Sequence, residues 1–449
     1  MYLIAFAAAV NQYIPLLGER GLLPVRLFAK RVSFWESPSL FLLFPRDRVF
    51  VAAGWAGVAL SCVALLGIGD HRLWSSVLVW AALWVLYLSF VNAGQTFYAF
   101  GWESILLETG FFATFSGTSD MAPQVALIWI WRWILFRVMF GAGLIKLRAD
   151  PCWRDLTCLD YHFETQPIPN PLSWYFHWLP GWAHKGGVLF NHLVELVVPF
   201  GYFAPQPAAT IAGLLTILFQ AILMLSGNLS WLNLITMVLA ISTLDGRFLA
   251  HLIPLPAPLL HEPALGWRVT IWILAGAVVW LSIRPVRNLL SAGQLMNYRY
   301  NPFHLVGTYG AFGGVTRLRH EIVMEGTAGN IALPGTVWKE YEFKGKPGNT
   351  LRRPPQIAPY HLRLDWLMWF AAMRPHDVPV WFVRLVAKLS EGDRRILRLL
   401  KTNPFPETPP QHIRALLYEY RFTSPEEKRR TGQWWHRSLI GVYLPPGLL

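Results

Sequence analysis

The chain has 449 residues, of which 54% are hydrophobic and only 14% are charged, whereas a soluble domain averages about 25% charged residues. This composition excludes an ordinary soluble protein and indicates a polytopic membrane protein, in which many of the 23 tryptophans would lie at bilayer interfaces. Three cysteines are too few for a disulfide scaffold, although Cys152 and Cys158 are close enough in sequence either to pair or to remain free thiols.

Long apolar runs mark the expected membrane spans, because a span needs roughly 20 apolar residues. Residues 1–17 lack the basic flank of a signal peptide and are interpreted as the remainder of a first span. The runs without ionisable groups are 49–69, 73–91 and 208–226. Further expected spans, which are charged or short, are 97–116, 124–147, 186–204, 229–244 and 269–283. We therefore predict about eight or nine transmembrane helices in a domain of residues 1–290, with 248–260 as a proline-rich interfacial loop.

Several of these expected spans contain ionisable residues, which are costly in a bilayer and indicate a paired or functional group. They are Glu103, Glu108, Arg132, Arg137, Lys146 and Glu195. Equal numbers of acids and bases predict mutual ion pairs, in particular Glu103 or Glu108 with Arg132 or Arg137. Lys146 closes its span next to a polar loop, where it could either act as a desolvated base or extend its amine to the interface.

The polar loop 148–182 lies between two expected spans and is the densest cluster of reactive groups in the chain. Pro167, Pro169 and Pro171 restrict its backbone and disfavour a helix, so the loop should keep a fixed shape. We expect it to pack on both the membrane domain and the C-terminal domain and to form the main pocket. The candidate client- or ligand-binding residues are Asp155, Cys158, Tyr161, His162, Gln166, Asn170, Trp174 and His177. The catalytic candidates are Lys146, His162 and Glu164.

The loop 148–182 and the segment that follows it contain no recognisable metal-binding or cofactor-binding motif. His192 and Glu195 are three residues apart on one helix face, and His162, His177 and Glu164 could add donors. The spacing is loose, however, and the sequence contains no HExxH motif. It also has neither a glycine-rich phosphate loop nor a GxSxG nucleophile elbow. We therefore predict no metal and no cofactor.

The composition changes near residue 291, and the part from there to the C-terminus carries +10 of the chain's net charge of +13. Segments 321–325, 337–344 and 417–422 are rich in β-branched and aromatic residues and predict strands, whereas 380–400 predicts an amphipathic helix. We predict a basic, β-rich, sandwich-like soluble domain over residues 291–449. No segment resembles a nucleic-acid-binding module, so its basic surface is expected to face anionic lipid.

Charge also bears on orientation. Residues 18–48 contain six Lys or Arg residues, and the positive-inside rule would place this loop in the cytoplasm. Counting spans from there would place the 148–182 loop and the C-terminal domain in the cytoplasm as well.

Four stretches of the chain resemble the lipase maturation factor family of multi-pass membrane proteins. They are residues 12–24 (QYIPLLGERGLLP), residues 100–110 (FGWESILLETG), the run from Arg132 through Lys146 into 156–177 (LTCLDYHFETQPIPNPLSWYFH), and a group in the tail at 338–343, 352–365, 418–422 and 434–437. The segment GAGLIKL at 141–147 is also faintly similar to the vitamin K-dependent carboxylase superfamily.

The resemblance implies a chaperone-like membrane factor that assists the folding or assembly of secreted lipases or other secreted clients, without catalysis. Animal members lie in the endoplasmic reticulum with a lumenal tail, so we expect an extracytoplasmic C-terminal domain despite the charge count. The absence of their longer N-terminal extension indicates a compact, bacterial-type member in the cell membrane. The expected partners are the lipid bilayer and a secreted client such as a lipase, not nucleic acid, and the oligomeric state is left open.

Two other functions remain as alternatives. A membrane enzyme on a carboxylase-like scaffold would act on a lipid or quinone, with Lys146 as base and His162 or Glu164 as its partner, and these groups would have to converge within hydrogen-bond reach. A lipid-handling or transport protein would need a continuous polar path through broken helices. A chaperone needs neither of these features, only an exposed apolar or aromatic surface.

Overall fold

A computed structural model of the chain describes residues 1–70, 72–252, 259–333 and 335–447. The helices of its first part are α1 (Tyr2–Leu17), α2 (Val25–Phe28), α3 (Leu40–Leu43), α4 (Asp47–Leu65), α5 (Leu73–Ala93), α6 (Gly101–Ala113), α7 (Val125–Ala149), α8 (Pro151–Arg154), α9 (Leu159–Thr165), α10 (Ser173–His177), α11 (Gly181–His192) and α12 (Val198–Gly201). They are followed by α13 (Ala208–Ser226), α14 (Leu232–Ile241), α15 (Gly246–Leu252) and α16 (Leu265–Leu290). A 3₁₀ turn at Gln95–Tyr98 precedes α6, and a π-helical turn at Leu193–Val197 joins α11 to α12.

Five helices of the described residues, α4, α5, α7, α13 and α16, are long and apolar enough to cross a membrane. The uncharged runs predicted the bounds of the membrane-length helices best, since α13 covers residues 208–226 as expected. The predicted count of eight or nine spans is not confirmed. Helix α6 has only 13 residues, and α14 only 10, so they rise roughly 15–20 Å against a hydrocarbon core of about 30 Å. The expected span 186–204 is divided by the π-helical turn, and 253–258 of the expected interfacial loop lie outside the described residues.

Helix α1 is apolar and has 16 residues, and it is buried within the bundle rather than exposed at its edge. It packs along α4, where Gly57 lies against the ring of Phe6 and leaves no room for a side chain. Tyr13 of the same helix contacts Phe90 edge to face at a centroid distance of 4.8 Å, and Phe41 contacts Phe90 in the same way at 4.7 Å. Such aromatic pairs add about 0.5–1.5 kcal/mol each beyond their burial, so this cluster fixes α1 firmly in the membrane domain.

The C-terminal region is built on an antiparallel sheet. Its strands are β1 (Arg319–Thr327), β2 (Lys339–Phe343), β3 (Leu400–Thr402), β4 (His412–Phe422) and β5 (Trp435–Leu444), and its helices are α17 (Arg363–Ala372), α18 (Val380–Ser390), α19 (Arg394–Leu397) and α20 (Pro425–Thr431). The described strands form one sheet in the order β3-β2-β1-β4-β5. The three predicted strands are confirmed: 321–325 lies within β1, 417–422 lies within β4, and 337–344 contains β2.

Two details of this region differ from the prediction. The described strands form a single sheet and not a sandwich, because α17 packs against β1 and α18 against β4, where a second sheet would otherwise lie. The predicted helix 380–400 ends early, because Gly392 takes the left-handed conformation (φ +66°) that terminates α18 and separates it from α19.

Candidate functional site

The 148–182 loop folds into the three short helices α8, α9 and α10. The carboxylate of Asp150 caps α8 by accepting a hydrogen bond of 3.0 Å from the backbone N–H of Cys152. Cys152 is joined to Cys158 by a disulfide, with the two Cα atoms 4.8 Å apart. Of the two alternatives that the sequence left open, the structure therefore shows the paired one. The disulfide closes a small ring that contains Trp153 and fixes where its indole lies.

The loop contacts both parts of the molecule, which confirms the prediction that it packs between them. On the membrane side, the amide of Gln166 donates to the carbonyl oxygen of Ser226 at the end of α13, at 2.8 Å. On the other side, the indole N–H of Trp174 donates to the carbonyl oxygen of Thr423, just after β4, at 2.8 Å.

Arg319, at the start of β1, binds the backbone of the loop, and the sequence analysis did not predict this role. Its guanidinium donates to the carbonyl oxygens of Glu164 and Pro167, each at 3.0 Å, and to that of Gln166. The same group is paired with Glu321 at 2.5 Å, and both side chains are fully buried. The only available signal was a charged residue at each end of the short segment RHE, at the start of strand β1. Such a pattern does not say where the charges point.

A cavity of about 880 Å³ lies where the membrane helices, the loop and α17 meet. This volume is within the roughly 300–1,000 Å³ that is usual for ligand pockets. Its wall includes Lys146, Trp153, His162, Phe219, Trp366 and Phe370. The loop thus contributes to a large pocket, as expected, but much of the apolar wall comes from α13 and α17.

Lys146 lies in the wall of this cavity with its ammonium group fully occupied. Nζ contacts both carboxylate oxygens of Glu195, at 2.5 and 2.6 Å, and Oδ1 of Asn191 at 3.0 Å. The charge also lies 5.1 Å from the ring centre of Trp153. Lys146 therefore has one acceptor for each of the three protons of its ammonium group. It would have to break this arrangement to act as a base.

His162 lines the same cavity and is 8% exposed. Its ring packs edge to face on Phe312, with centroids 5.0 Å apart. Burial, assisted by the nearby positive charge of Lys146, lowers the pKa of His162 to about 4. The imidazole is therefore neutral at physiological pH and presents one N–H donor and one nitrogen acceptor.

Glu164 does not line the cavity but faces the sheet. Its Oε2 accepts a hydrogen bond of 2.5 Å from the backbone N–H of Phe422, and Nε2 of His177 lies 3.7 Å away. Burial raises the pKa of Glu164 to about 7 and lowers that of His177 to about 4. The structure thus brings Lys146 and His162 to one cavity and places Glu164 elsewhere.

The raised pKa of Glu164 predicts a pH-dependent stability. Between about 4.5 and about 7 the folded protein keeps a proton that the unfolded chain has released, so this group's contribution is complete below about 4.5 and is lost as the pH rises through about 7. We expect Glu164→Gln, which keeps an oxygen acceptor, to gain stability relative to the wild type as the pH rises from 5 to 7.5. Thermal unfolding of the two proteins in detergent at a series of pH values measures the difference between their stabilities. His177 titrates in the opposite direction, but it is present in both proteins, so its contribution cancels in this difference. Parallel curves over the whole range would show that Glu164 titrates normally.

The other candidate residues of the loop have mainly structural contacts. Asn170 accepts from the backbone N–H groups of Leu172 and Ser173, both at 3.0 Å, and so fixes the turn into α10. Asp155 is exposed at the surface. The ring of Tyr161 lies 4.8 Å from the guanidinium of Arg317.

The charges of the membrane domain are paired in a partly unexpected way. Glu108 of α6 pairs with Arg137 of α7, which confirms one of the predicted combinations. Glu103 instead contacts Arg363 of α17, with Oε1 and Nη1 2.6 Å apart and both side chains fully buried. Arg132 donates to the carbonyl oxygens of Ser242 and Tyr202, at 2.9 and 3.0 Å.

The residues considered as metal donors are separated in the fold. His192 contacts the carbonyl oxygen of Trp153 through Nε2 at 2.9 Å, while His177 lies beside Glu164 and Glu195 beside Lys146. Within the described ranges, no three His, Cys, Asp or Glu side chains gather in a metal-binding arrangement.

The fold and the site together define a class: an integral membrane protein with several apolar spans, a sheet-containing C-terminal region and a cavity where the two meet. Comparison with known families gives a narrower assignment. The family described as "Lipase maturation factor transmembrane domain" matches residues 1–251, and the family described as "Lipase maturation factor C-terminal domain" matches residues 305–445. The chain belongs to the lipase maturation factor family.

Individual relatives match over nearly the whole chain. Lipase maturation factor 1 of Homo sapiens is 43% identical over 99% of this chain and 85% of the relative, and that of Mus musculus is 42% identical with the same coverage. Lipase maturation factor 2 of Homo sapiens is 30% identical over 99% of this chain and 80% of the relative. No solved structure matches the chain significantly.

Proposed function

We propose that this protein is a membrane-embedded maturation factor that helps a secreted lipase, or another secreted client, to reach its folded and active form. The observation that carries the proposal is the 43% identity to human lipase maturation factor 1 over nearly the full length of the chain. Both the membrane part and the C-terminal part share in this similarity, so the function is assigned to the two parts acting together.

A secreted client is accessible only on the extracytoplasmic side, and two contacts support that side for the C-terminal region. A disulfide such as Cys152–Cys158 persists in oxidising compartments, which include the lumen of the endoplasmic reticulum and the bacterial periplasm. Trp174 and Gln166 show that the same loop is packed between the C-terminal region and the end of α13. The loop and the C-terminal region are therefore inferred to share one side of the membrane. The disulfide favours the extracytoplasmic side, whereas the count of positive charges favoured the cytoplasm.

The surface that best fits an incompletely folded client is the outer edge of the sheet. Strand β5 is the last strand in the order and pairs with β4 on one side. Leu439, Ile440 and Val442 of this strand are 50–61% exposed. An open edge carries unpaired backbone groups and apolar side chains, so it can add an extended client segment as a further strand. We propose that clients bind there while the membrane domain keeps the factor at the bilayer.

A chaperone of this kind requires no converging catalytic groups. The occupied ammonium group of Lys146 and the position of Glu164 away from the cavity support this mechanism over a reaction in which Lys146 acts as the base.

The test is co-expression with a secreted lipase in cells that lack their own lipase maturation factor. The full chain should restore secreted lipase activity per unit of lipase protein, because more of the client reaches its folded form. Ile440→Lys should reduce this rescue by at least severalfold, since a charged side chain on an edge strand opposes pairing with another strand.

The matched control is Val380→Lys, which places the same charge on an exposed residue at the start of α18, outside strand β5. It should leave the rescue unchanged. Failure of the wild-type chain to restore activity would refute the maturation role for that lipase. Full rescue by Ile440→Lys would refute only the binding surface.

A further inference from the structure

The cavity at the junction of the membrane helices and α17 is a candidate ligand site that the maturation role does not explain. Its wall is mainly apolar and includes Met139 of α7, Phe219 and Leu223 of α13, and Trp366 and Phe370 of α17. Apolar side chains from several elements surround a space large enough for a ligand, and burying an apolar ligand there would be favourable. The shape and chemistry of the wall therefore suit a hydrocarbon chain.

Most polar side chains in this wall have partners within the described residues. The ammonium group of Lys146 and the carboxylate of Glu195 neutralise each other, and His184 contacts both Asp160 and a backbone carbonyl. Farther along the wall, the amide nitrogen of Asn233 donates to Oε1 of Gln220 at 2.8 Å, whereas Oδ1 of Asn233 accepts no hydrogen bond from the described residues. A charged ligand head would thus enter a site whose charges are already compensated and would lose its hydration without gaining a counter-charge.

His162 differs from these residues. Its side chain is more than nine-tenths buried and lies in the cavity wall, and no described residue forms a hydrogen bond with either ring nitrogen. A buried polar group without a partner is unfavourable, so such groups are normally satisfied by a ligand or by water. A neutral imidazole can donate one hydrogen bond and accept another, which matches a hydroxyl or ester group.

We propose that the cavity binds an uncharged amphipathic lipid of the acylglycerol type. Its glycerol hydroxyl or ester group forms hydrogen bonds with His162, and its acyl chain lies along the apolar wall formed by α7, α13 and α17. Binding depends on the geometry of the cavity alone and does not require the maturation role to be correct.

A polypeptide segment of a client fits this cavity less well. Every peptide unit brings a backbone N–H and a C=O that need partners when they are buried. The described wall offers few free polar groups beside His162, since those of Lys146, Glu195 and His184 are already engaged. A lipid needs hydrogen bonds only at its head, so the described wall accommodates it at a lower cost.

The experiment uses the full-length protein in detergent or nanodiscs with a photoreactive monoacylglycerol. We expect saturable labelling of peptides that line the cavity. Unlabelled 1-monooleoylglycerol should compete at least tenfold better than oleate, which is charged, or hexadecane, which has no head. His162→Phe should weaken binding roughly three- to tenfold, which corresponds to the loss of one or two neutral hydrogen bonds.

A second variant tests the acyl part of the site. Ala142 lies in the cavity wall one turn before Lys146, so Ala142→Phe should fill part of the space and abolish saturable labelling. Ala277→Phe adds the same ring to the exposed face of α16 and should have no effect. If His162→Phe and Ala142→Phe are monodisperse and still bind normally, the proposal is wrong.

The competition on the wild-type protein decides the matter even if a variant fails to fold. Equal competition by oleate or hexadecane would refute recognition of a neutral head. Stronger competition by an apolar peptide would assign the cavity to a polypeptide instead.

Discussion

Replacing Arg363 with methionine should destabilise the folded protein by about 3–5 kcal/mol, because removing one partner of a buried ion pair leaves the other charge uncompensated. Arg363 lies 2.6 Å from Glu103 and also donates to the carbonyl oxygen of Phe97 at 2.9 Å. Its guanidinium is 3.4 Å from the ring centre of Tyr98. Since Glu103 belongs to α6 and Arg363 to α17, the loss should loosen the C-terminal region from the membrane helices. Thermal unfolding in detergent measures the effect.

The double variant Arg363→Met with Glu103→Gln should recover much of this stability, because it removes the second charge as well. Arg374→Met is the matched control, since Arg374 is exposed just after the end of α17. It should change stability by no more than about 0.5 kcal/mol, as is usual for surface substitutions. A double variant that is as unstable as Arg363→Met would show that packing of the guanidinium, rather than its charge, carries the effect.

Arg137→Leu should be destabilising to a similar extent, about 3–5 kcal/mol, because Glu108 is fully buried and would lose its counter-charge. The guanidinium also donates to the carbonyl oxygen of Gly307 at 2.8 Å, and Tyr309 donates to Glu108 at 2.5 Å. Adding Glu108→Gln removes the charge but keeps an acceptor for Tyr309. The double variant should therefore be clearly more stable than Arg137→Leu alone in the same unfolding assay.

Arg132 provides the matched control for this cycle, because it lies in the same helix and donates to backbone carbonyls. Arg132→Leu and Glu108→Gln should have effects that simply add, within about 0.5 kcal/mol. If the Arg137 and Glu108 effects add in the same way, the two residues are not energetically coupled and the proposed pairing has no role in stability.

The sequence predicted best those elements whose physics is local. Helix α13 matches its predicted bounds because an uncharged apolar run of that length satisfies its backbone hydrogen bonds in a bilayer by forming a helix. Strand β2 was found from its alternation and β-branched and aromatic residues. Helix α6 was overestimated, because an apolar composition does not reveal that a backbone bends away after 13 residues.

Pairings over long distances were not predictable in the same way. The equal number of acids and bases in the membrane domain suggested a closed set of ion pairs, yet Arg132 binds carbonyls and Glu103 pairs with a residue 260 positions later. Arg319 was equally hidden, because its role depends on three carbonyl groups that carry no sequence signature. For the cavity, the sequence indicated Lys146 and His162 but not Asn191, which completes the ammonium site.

The contact between Glu103 and Arg363 also constrains how the protein is made. During translation, Glu103 is made when its counter-charge, 260 residues further along the chain, has not yet been synthesised. At roughly 5–20 residues per second the interval is about 13–52 s. Throughout that time Glu103 lacks the positive charge that it contacts in the folded protein. The packing around Glu103 is thus completed only when α17 has been made and has docked, so the final form of the helix bundle depends on the C-terminal region.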